Sequence, residues 1–110
     1  MSMRQLAVYQ NDRLAGILTE RNPGNGYSFV YDKEFLASGA YPISVTMPLR
    51  SEPYEAASLF PFFENMIPEG ANRRMLCRAR RIDESDFFGI LSALAGEDVI
   101  GSVSVKKLDI

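Results

Sequence analysis

Alternation of apolar and polar residues dominates the start of the chain and predicts a β-hairpin. Residues 4–10 alternate, and after a two-residue gap residues 13–19 return as a second strand with Leu14, Ile17 and Leu18. Asn11 and Asp12 fill that gap, and both residue types tolerate the positive φ of a tight hairpin turn. Gly16 inside the second strand indicates a bulge or a close approach of another backbone.

A third strand and a short helix are predicted next. Residues 27–31 alternate, and Asp32 can cap a helical turn that Gly39 would end. Residues 41–47 then alternate as a short strand. The prolines beside that segment indicate an edge position, because proline cannot donate to a sheet ladder.

The second half of the chain changes to helical spacing. Apolar residues from Leu59 to Ile67 recur at i, i+3, i+4, i+7 and i+8. Either Ser58 is the N-cap, or the helix begins near Glu55 and kinks at Pro61. A second helix is predicted from Pro68 to about Arg81. Its predicted inward residues are Ala71, Met75, Leu76 and Ala79.

A third helix and a final strand complete the pattern. Asp83 or Ser85 is the predicted cap of this helix, and Gly96 its predicted end. Its predicted buried stripe is Phe87, Ile90, Leu91 and Leu94. Residues 99–105 are predicted as a strand, with Val103 and Val105 facing inward.

This order predicts an α+β fold, a small, mainly antiparallel β-sheet or partial barrel with about three helices inserted before the last strand. Residues 1–110 are expected to form a single domain, in which residues 106–110 are a solvated tail.

The composition restricts the chemistry. The chain has no histidine, which removes the Ser-His-Asp triad, the Cys-His pair and imidazole metal sites. A single cysteine excludes an internal disulfide, and no apolar run is long enough to cross a membrane. No signal-peptide pattern opens the chain. These features predict a cytoplasmic protein without membrane contact.

Arginines between residues 73 and 81 form the main charged feature. Arg74, Arg78 and Arg81 recur at helical spacing and would form one positive stripe. The stripe fits either a solvated face or a surface for an acidic or phosphate-bearing partner, because guanidinium groups match carboxylate and phosphate oxygens. A nucleic-acid-binding domain using residues 73–81 is disfavoured by the net charge of −2. Cys77 among these arginines is interpreted as a passive residue.

The segment FPFFENMIPEG, residues 60–70, contains more large apolar side chains than one narrow stripe requires. The spacing favours a core helix. The excess also predicts that some of these side chains stay exposed until a partner covers them.

PFFENMIPEG resembles the F-F-x-N-[LM]-[LI]-P-[DE] segment in the N-terminal subdomain of HipA-type serine/threonine kinases. LAVYQNDRLAGILTE resembles the opening hairpin of that subdomain, and YSFVYDKEFLASGAYPISVTMPLR and DFFGILSALAGEDVIGSVSV resemble its later motifs. The resemblance covers about residues 4–105, in order. Phe35 stands where the family usually has tryptophan.

The resemblance covers only the N-terminal subdomain of the family, and this restriction implies a function. In the family a large kinase core follows this subdomain, and none of that core's ATP-binding or catalytic residues can be located here. The chain is therefore expected not to be an enzyme and to need no cofactor, metal or small-molecule substrate. It is similar to HipS, the antitoxin of tripartite HipBST toxin–antitoxin systems. The implied partners are a HipT-like kinase toxin and a HipB-like DNA-binding protein, so DNA would be contacted only indirectly.

The residues expected to bind the kinase combine the apolar segment with the arginine stripe. They are Phe63, Asn65, Met66, Ile67, Pro68, Glu69, Arg74, Arg78 and Arg81. The same surface would also serve an activating or scaffolding subunit that completes a split kinase. The sequence leaves open whether the kinase would be blocked at its active site or held in an inactive conformation.

Overall fold

The computed structural model describes residues 3–22, 24–95 and 103–108, and these ranges contain five strands and four helices. The strands are β1 (Arg4–Gln10), β2 (Arg13–Asn22), β3 (Asn25–Tyr31), β4 (Tyr54–Ala56) and β5 (Val103–Lys107). The helices are α1 (Lys33–Ala37), α2 (Pro61–Glu64), α3 (Gly70–Arg80) and α4 (Phe87–Ala93).

The described strands form one open sheet in the order β4-β3-β2-β1-β5, and every neighbouring pair is antiparallel. In sequence, α2, α3 and α4 lie between β4 and β5. The predicted α+β class, the antiparallel sheet and the three helices before the last strand are confirmed. Closure into a partial barrel is not observed among these strands.

The predicted bulge lies in the first hairpin. Val8 is opposite Gly16, whereas the next residue of β1, Tyr9, is opposite Leu14, so Ala15 is the additional residue in β2. A Cβ atom on Gly16 would lie 2.3 Å from a backbone carbonyl oxygen of β3. Both reasons for a glycine at this position, the bulge and the close backbone approach, therefore apply.

Two further local predictions are confirmed. Asn11 and Asp12 form the turn with φ of 51° and 65°. The Asp32 carboxylate caps α1 by accepting hydrogen bonds from two backbone amides of its first turn, at 3.1 and 3.3 Å. Gly39 follows the helix with φ of 79°.

The predicted strand over residues 41–47 is wrong. This part of the chain is a loop, and the amide of Met47 closes a turn on the carbonyl oxygen of Ser44 at 3.1 Å. The Tyr31 hydroxyl fixes the loop, because it accepts from the amide of Ile43 at 3.2 Å and donates to the carbonyl oxygen of Met47 at 2.5 Å. The edge strand on the other side of β3 from β2 is β4 instead.

α2 begins two residues later than a cap at Ser58 would place it. Pro61 is its first residue, where the missing amide costs nothing, and Phe60 rather than Ser58 is the N-cap. Phe60 makes no side-chain cap hydrogen bond. The proline therefore defines this helix start more strongly than a polar cap does.

α4 is capped by Asp86, not by Asp83 or Ser85. The Asp86 carboxylate accepts from the amide of Gly89 at 3.0 Å, whereas the Asp83 carboxylate accepts from the amide and hydroxyl of Ser85 in the preceding turn. Ile90, Leu91 and Leu94 of the predicted stripe are buried, but its first position is not. Phe88 is buried, and Phe87 is only half-buried.

The core lies between one face of the sheet and helices α2 and α4. Phe29 of β3 contacts Phe63 of α2 with ring centroids 5.7 Å apart, and Tyr27 of β3 stacks on Phe88 of α4 at 6.4 Å. The largest fully buried apolar side chains are Phe29, Phe35, Phe63, Phe88, Leu6, Leu18, Ile90, Leu91, Val8 and Val105.

A buried polar network connects the sheet to α4. Glu20 is fully buried, and its carboxylate accepts from Arg4 Nε at 2.7 Å, the Tyr27 hydroxyl at 2.9 Å and the amide of Gly24 at 3.0 Å. Arg4 also donates to both oxygens of Asp86, at 2.8 and 3.2 Å. Burial, followed by the hydrogen bond to Glu20, raises the pKa of Tyr27 to about 12.

The chain end agrees with the sequence where it is described. Val103 and Val105 are buried, as predicted, and β5 continues through Lys107 into the segment expected to be a tail. α4 ends at Ala93, before the predicted end at Gly96, which itself lies outside the described residues. The predicted strand start at residues 99–102 lies outside them as well. Among the described helices, none has both the length and the apolar character to cross a membrane.

Candidate partner-binding surface

The aromatic residues of the 60–69 segment build its framework. Phe63 has 0% exposure, and its ring lies 5.2 Å from Phe62, 5.7 Å from Phe29 and 6.4 Å from Phe60, measured between centroids. Phe60 is buried and Phe62 half-buried. The cluster is thus mostly a part of this chain's own core.

Three of the predicted contact residues are therefore inside the protein. Phe63, Met66 and Ile67 are all buried, so the expectation of an exposed apolar cluster is not met at these positions. Phe63 of α2 packs against Phe29 of β3, and Met66 and Ile67 are buried in the turn that follows the helix. These side chains shape the segment instead of presenting a surface to a partner.

The remaining predicted residues of this segment face outward. Asn65 and Glu69 are exposed, and Pro68 is half-buried. Arg73 of α3 holds this turn in place, because its Nε donates to the carbonyl oxygen of Pro68 at 2.9 Å. Its guanidinium also lies over the Phe87 ring at 5.4 Å, a cation–π distance, which fastens the turn to α4.

Two residues of the predicted arginine stripe, Arg74 and Arg78, lie on α3, and Arg81 directly follows the helix. Arg74, Arg78 and Arg81 are exposed, and within the described part of the chain they form no ion pair with a carboxylate. Arg81 ends α3 in the left-handed conformation, with φ of 57°. Arg74 and Arg78 line one shallow depression, and Asp83 and Glu84 line it as well.

α3 is rotated from its predicted orientation. Ala71, Met75 and Ala79 were expected to face inward and are exposed, Met75 with 68% of its surface. Leu76 is half-buried and Cys77 is buried. The prediction failed because the small and apolar residues of α3 are spread around the helix, so that spacing alone does not select the inward side.

Cys77 has the properties of a packing residue. Its side chain is buried beneath α3, and burial raises the pKa of the thiol. A raised pKa opposes formation of the reactive thiolate. The described residues contain no group of three or more potential metal ligands among histidine, cysteine, aspartate and glutamate.

The sequence model of the HipA N-terminal domain family matches residues 6–106 of the chain. An uncharacterized protein of Haemophilus influenzae is 30% identical over 105 residues, which cover 96% of this chain and 93% of that protein. A Sinorhizobium fredii protein named "Putative kinase Y4mE" is 29% identical over 110 residues, which cover 99% of this chain but 26% of that protein.

A solved structure titled "N-terminal domain of HipA toxin" superimposes with a TM-score of 0.69 and 28% sequence identity, covering 96% of this chain and 93% of that one. Together with the family match, this relates the chain to HipA-type toxin–antitoxin systems. The similarity to HipA lies within its N-terminal domain.

Proposed function

This chain belongs to the HipA N-terminal domain family, and we propose that it is the antitoxin subunit that binds and neutralises a HipA- or HipT-type serine/threonine kinase toxin. In this proposal it is a HipS-like component of a HipBST system and performs no catalysis itself. A HipB-like DNA-binding protein would complete the complex in the cytoplasm, so that DNA is contacted only indirectly.

The observation that carries the proposal is how the family domain is distributed over its relatives. The matched region accounts for 93% of the Haemophilus protein but for 26% of the Sinorhizobium protein whose name describes a kinase. A domain that adjoins a kinase core in one polypeptide has a surface complementary to that core. The same domain, supplied as a separate chain, can occupy that surface and shift the kinase toward an inactive state.

The exposed residues favour one side of the molecule for this contact. Asn65, Glu69, Arg74, Arg78 and Arg81 are all exposed around the turn before α3 and along α3. Arg73 fixes that turn through its hydrogen bond to Pro68, so the surface needs little ordering when it binds. Phe63, Met66 and Ile67 would contribute by maintaining the shape of the segment.

Co-expression with a HipA-type kinase from the genome that encodes this chain tests the proposal. We expect that wild-type protein restores growth and suppresses kinase autophosphorylation. Glu69→Lys should weaken both effects, because the substitution reverses the charge of an exposed residue in the contact surface. Glu34→Lys is the matched control, since Glu34 is exposed on α1, away from that surface.

The sign of the effect separates the antitoxin from its alternatives. Faster substrate phosphorylation in the mixture would identify an activating or scaffolding subunit of a split kinase. Unchanged growth inhibition and autophosphorylation would refute an antitoxin role. Salt-sensitive binding of the purified chain to DNA in the absence of other proteins would favour the nucleic-acid interpretation.

A further inference from the structure

α3 is the longest described helix, yet Cys77 is the one residue of its 11 that is buried. Helices shorter than about 12–15 residues are marginal in water unless tertiary packing supports one face. The inward side of α3 provides little of that packing. Its outward side is left as a surface that a second protein can cover.

The outward side has a defined composition. At the 100° rotation per residue of an α-helix, Ala71, Met75 and Arg78 lie along its centre, and Arg74 and Ala79 lie at its margins. We call these five residues the α3 outward face. Met75 is 68% exposed, and the small side chains of the two alanines leave it accessible.

The charges of this face indicate the chemistry of its partner. Neither Arg74 nor Arg78 forms an ion pair within the described residues, and they lie one helical turn apart beside Met75. Two guanidinium groups next to an exposed thioether complement carboxylates that border an apolar floor.

A protein surface fits this face better than a nucleic acid does. Asp83 and Glu84 line the same depression as Arg74 and Arg78. A continuous polyanion would run across these carboxylates, whereas a folded protein can place a few carboxylates opposite the two arginines alone. An exposed methionine at the centre also has no role in phosphate binding, whereas methionine is common at adaptable protein interfaces.

We propose that the α3 outward face docks into an acidic groove of the kinase chain. Met75 fills the apolar floor of the groove, and Arg74 and Arg78 pair with carboxylates along its walls. The inference rests on the proposed function for the identity of the partner. It deepens that function by assigning the central anchor to Met75, outside the 60–69 segment.

Titration calorimetry of the full chain with a HipA-type kinase from the same genome tests this inference. Met75→Ser and the double variant Arg74→Glu/Arg78→Glu should each weaken binding roughly tenfold or more, as expected for central interface residues. Added salt should lower the affinity of the wild-type complex, because salt screens the exposed arginines. The affinity of the double variant should depend less on salt, because it lacks those two positive charges.

Two control variants match these changes elsewhere on the surface. Arg13→Glu/Lys33→Glu alters the net charge equally at two exposed positions. Val45→Ser removes an apolar side chain that is 92% exposed in the loop before β4. Both controls should bind like wild type. Circular dichroism of each variant should show an intact fold, since every substituted side chain is exposed or points away from the core.

The results distinguish failure of the proposed function from failure of the α3 docking inference. If wild-type protein does not bind the kinase, the proposed function and this inference both fail. If it binds and the α3 variants bind equally well, only this inference fails. It also fails if the charge control weakens kinase binding as much as the double variant does. A third contradicting result would be that the double variant no longer binds a short DNA duplex but still binds the kinase as wild type does.

Discussion

α3 and α4 are consecutive helices with opposite relations to the core. α4 has 7 residues and buries four of them, Phe88, Ile90, Leu91 and Ala93. α3 has 11 residues and buries Cys77 alone. The longer helix therefore contributes less apolar burial, and burial is the main source of folding stability.

The N-terminus of α4 is also better capped than that of α3. Asp86 caps α4 through the amide of Gly89 and is paired with Arg4 of β1. Glu69, the N-cap of α3, makes no side-chain cap hydrogen bond. α4 therefore stabilises the fold, whereas α3 lies on its surface and adds little to the core. Substitutions in α4 should therefore change stability, and substitutions on the outward side of α3 should change binding.

Phe88→Ala should have the largest effect on stability. Phe88 is 1% exposed, stacks on Tyr27 and lies beneath the Arg4 guanidinium at 5.1 Å. Removing a buried aromatic ring typically costs about 3–5 kcal/mol, because the lost burial is accompanied by a cavity. Urea denaturation followed by circular dichroism would measure the loss. A loss as small as that of a surface substitution would contradict the structural role given to α4.

Asp86→Asn should have a smaller effect of about 1 kcal/mol, because the ion pair with Arg4 is partly exposed while asparagine can still cap the helix. Urea denaturation again provides the measurement. Asp83→Asn is the control, since the Asp83 carboxylate bonds only to Ser85 among the described residues and this variant should stay closer to wild type. Equal losses in both variants would show that the Arg4 contact contributes nothing.

The same ion pair predicts a dependence on acid. The hydrogen bond from Arg4 holds the pKa of Asp86 below its usual range. A carboxylate whose pKa is lowered by folding stabilises the protein fully above its unfolded pKa of about 3.9, and this stabilisation is lost as the pH falls through the lower folded pKa. Denaturation midpoints between pH 5 and pH 2 should thus fall less steeply for Asp86→Asn than for wild type. Parallel curves would contradict this assignment.

Local signals in the sequence were sufficient for much of the fold. The turn at Asn11 and Asp12 and the cap at Asp32 both depend on the local preferences of single residues. Such preferences are intrinsic to the residue, so they can be read without knowing which distant segments will meet.

Features that depend on distant partners could not be predicted. Residues 41–47 alternate like a strand, but the Tyr31 hydroxyl holds them as a loop. Glu20 is buried because Arg4 and Tyr27 reach it from neighbouring strands. Its position two residues after Leu18, on the same side of the strand, was a usable signal. The charge of Glu20 concealed that signal, because charged side chains are rarely buried unless they are paired.

The orientation of α3 was the most consequential miss, and it leads to the smallest predicted effect on stability. Met75→Ala should change the free energy of unfolding by no more than about 0.5 kcal/mol, because the side chain is largely in solvent already. Urea denaturation beside Phe88→Ala would measure this. A loss of several kcal/mol would mean that Met75 is buried and that the assigned face of α3 is wrong. A negligible loss of unfolding free energy together with weaker kinase binding would show that α3 and α4 have different roles. An exposed residue whose substitution affects only the complex contributes to recognition and not to the fold.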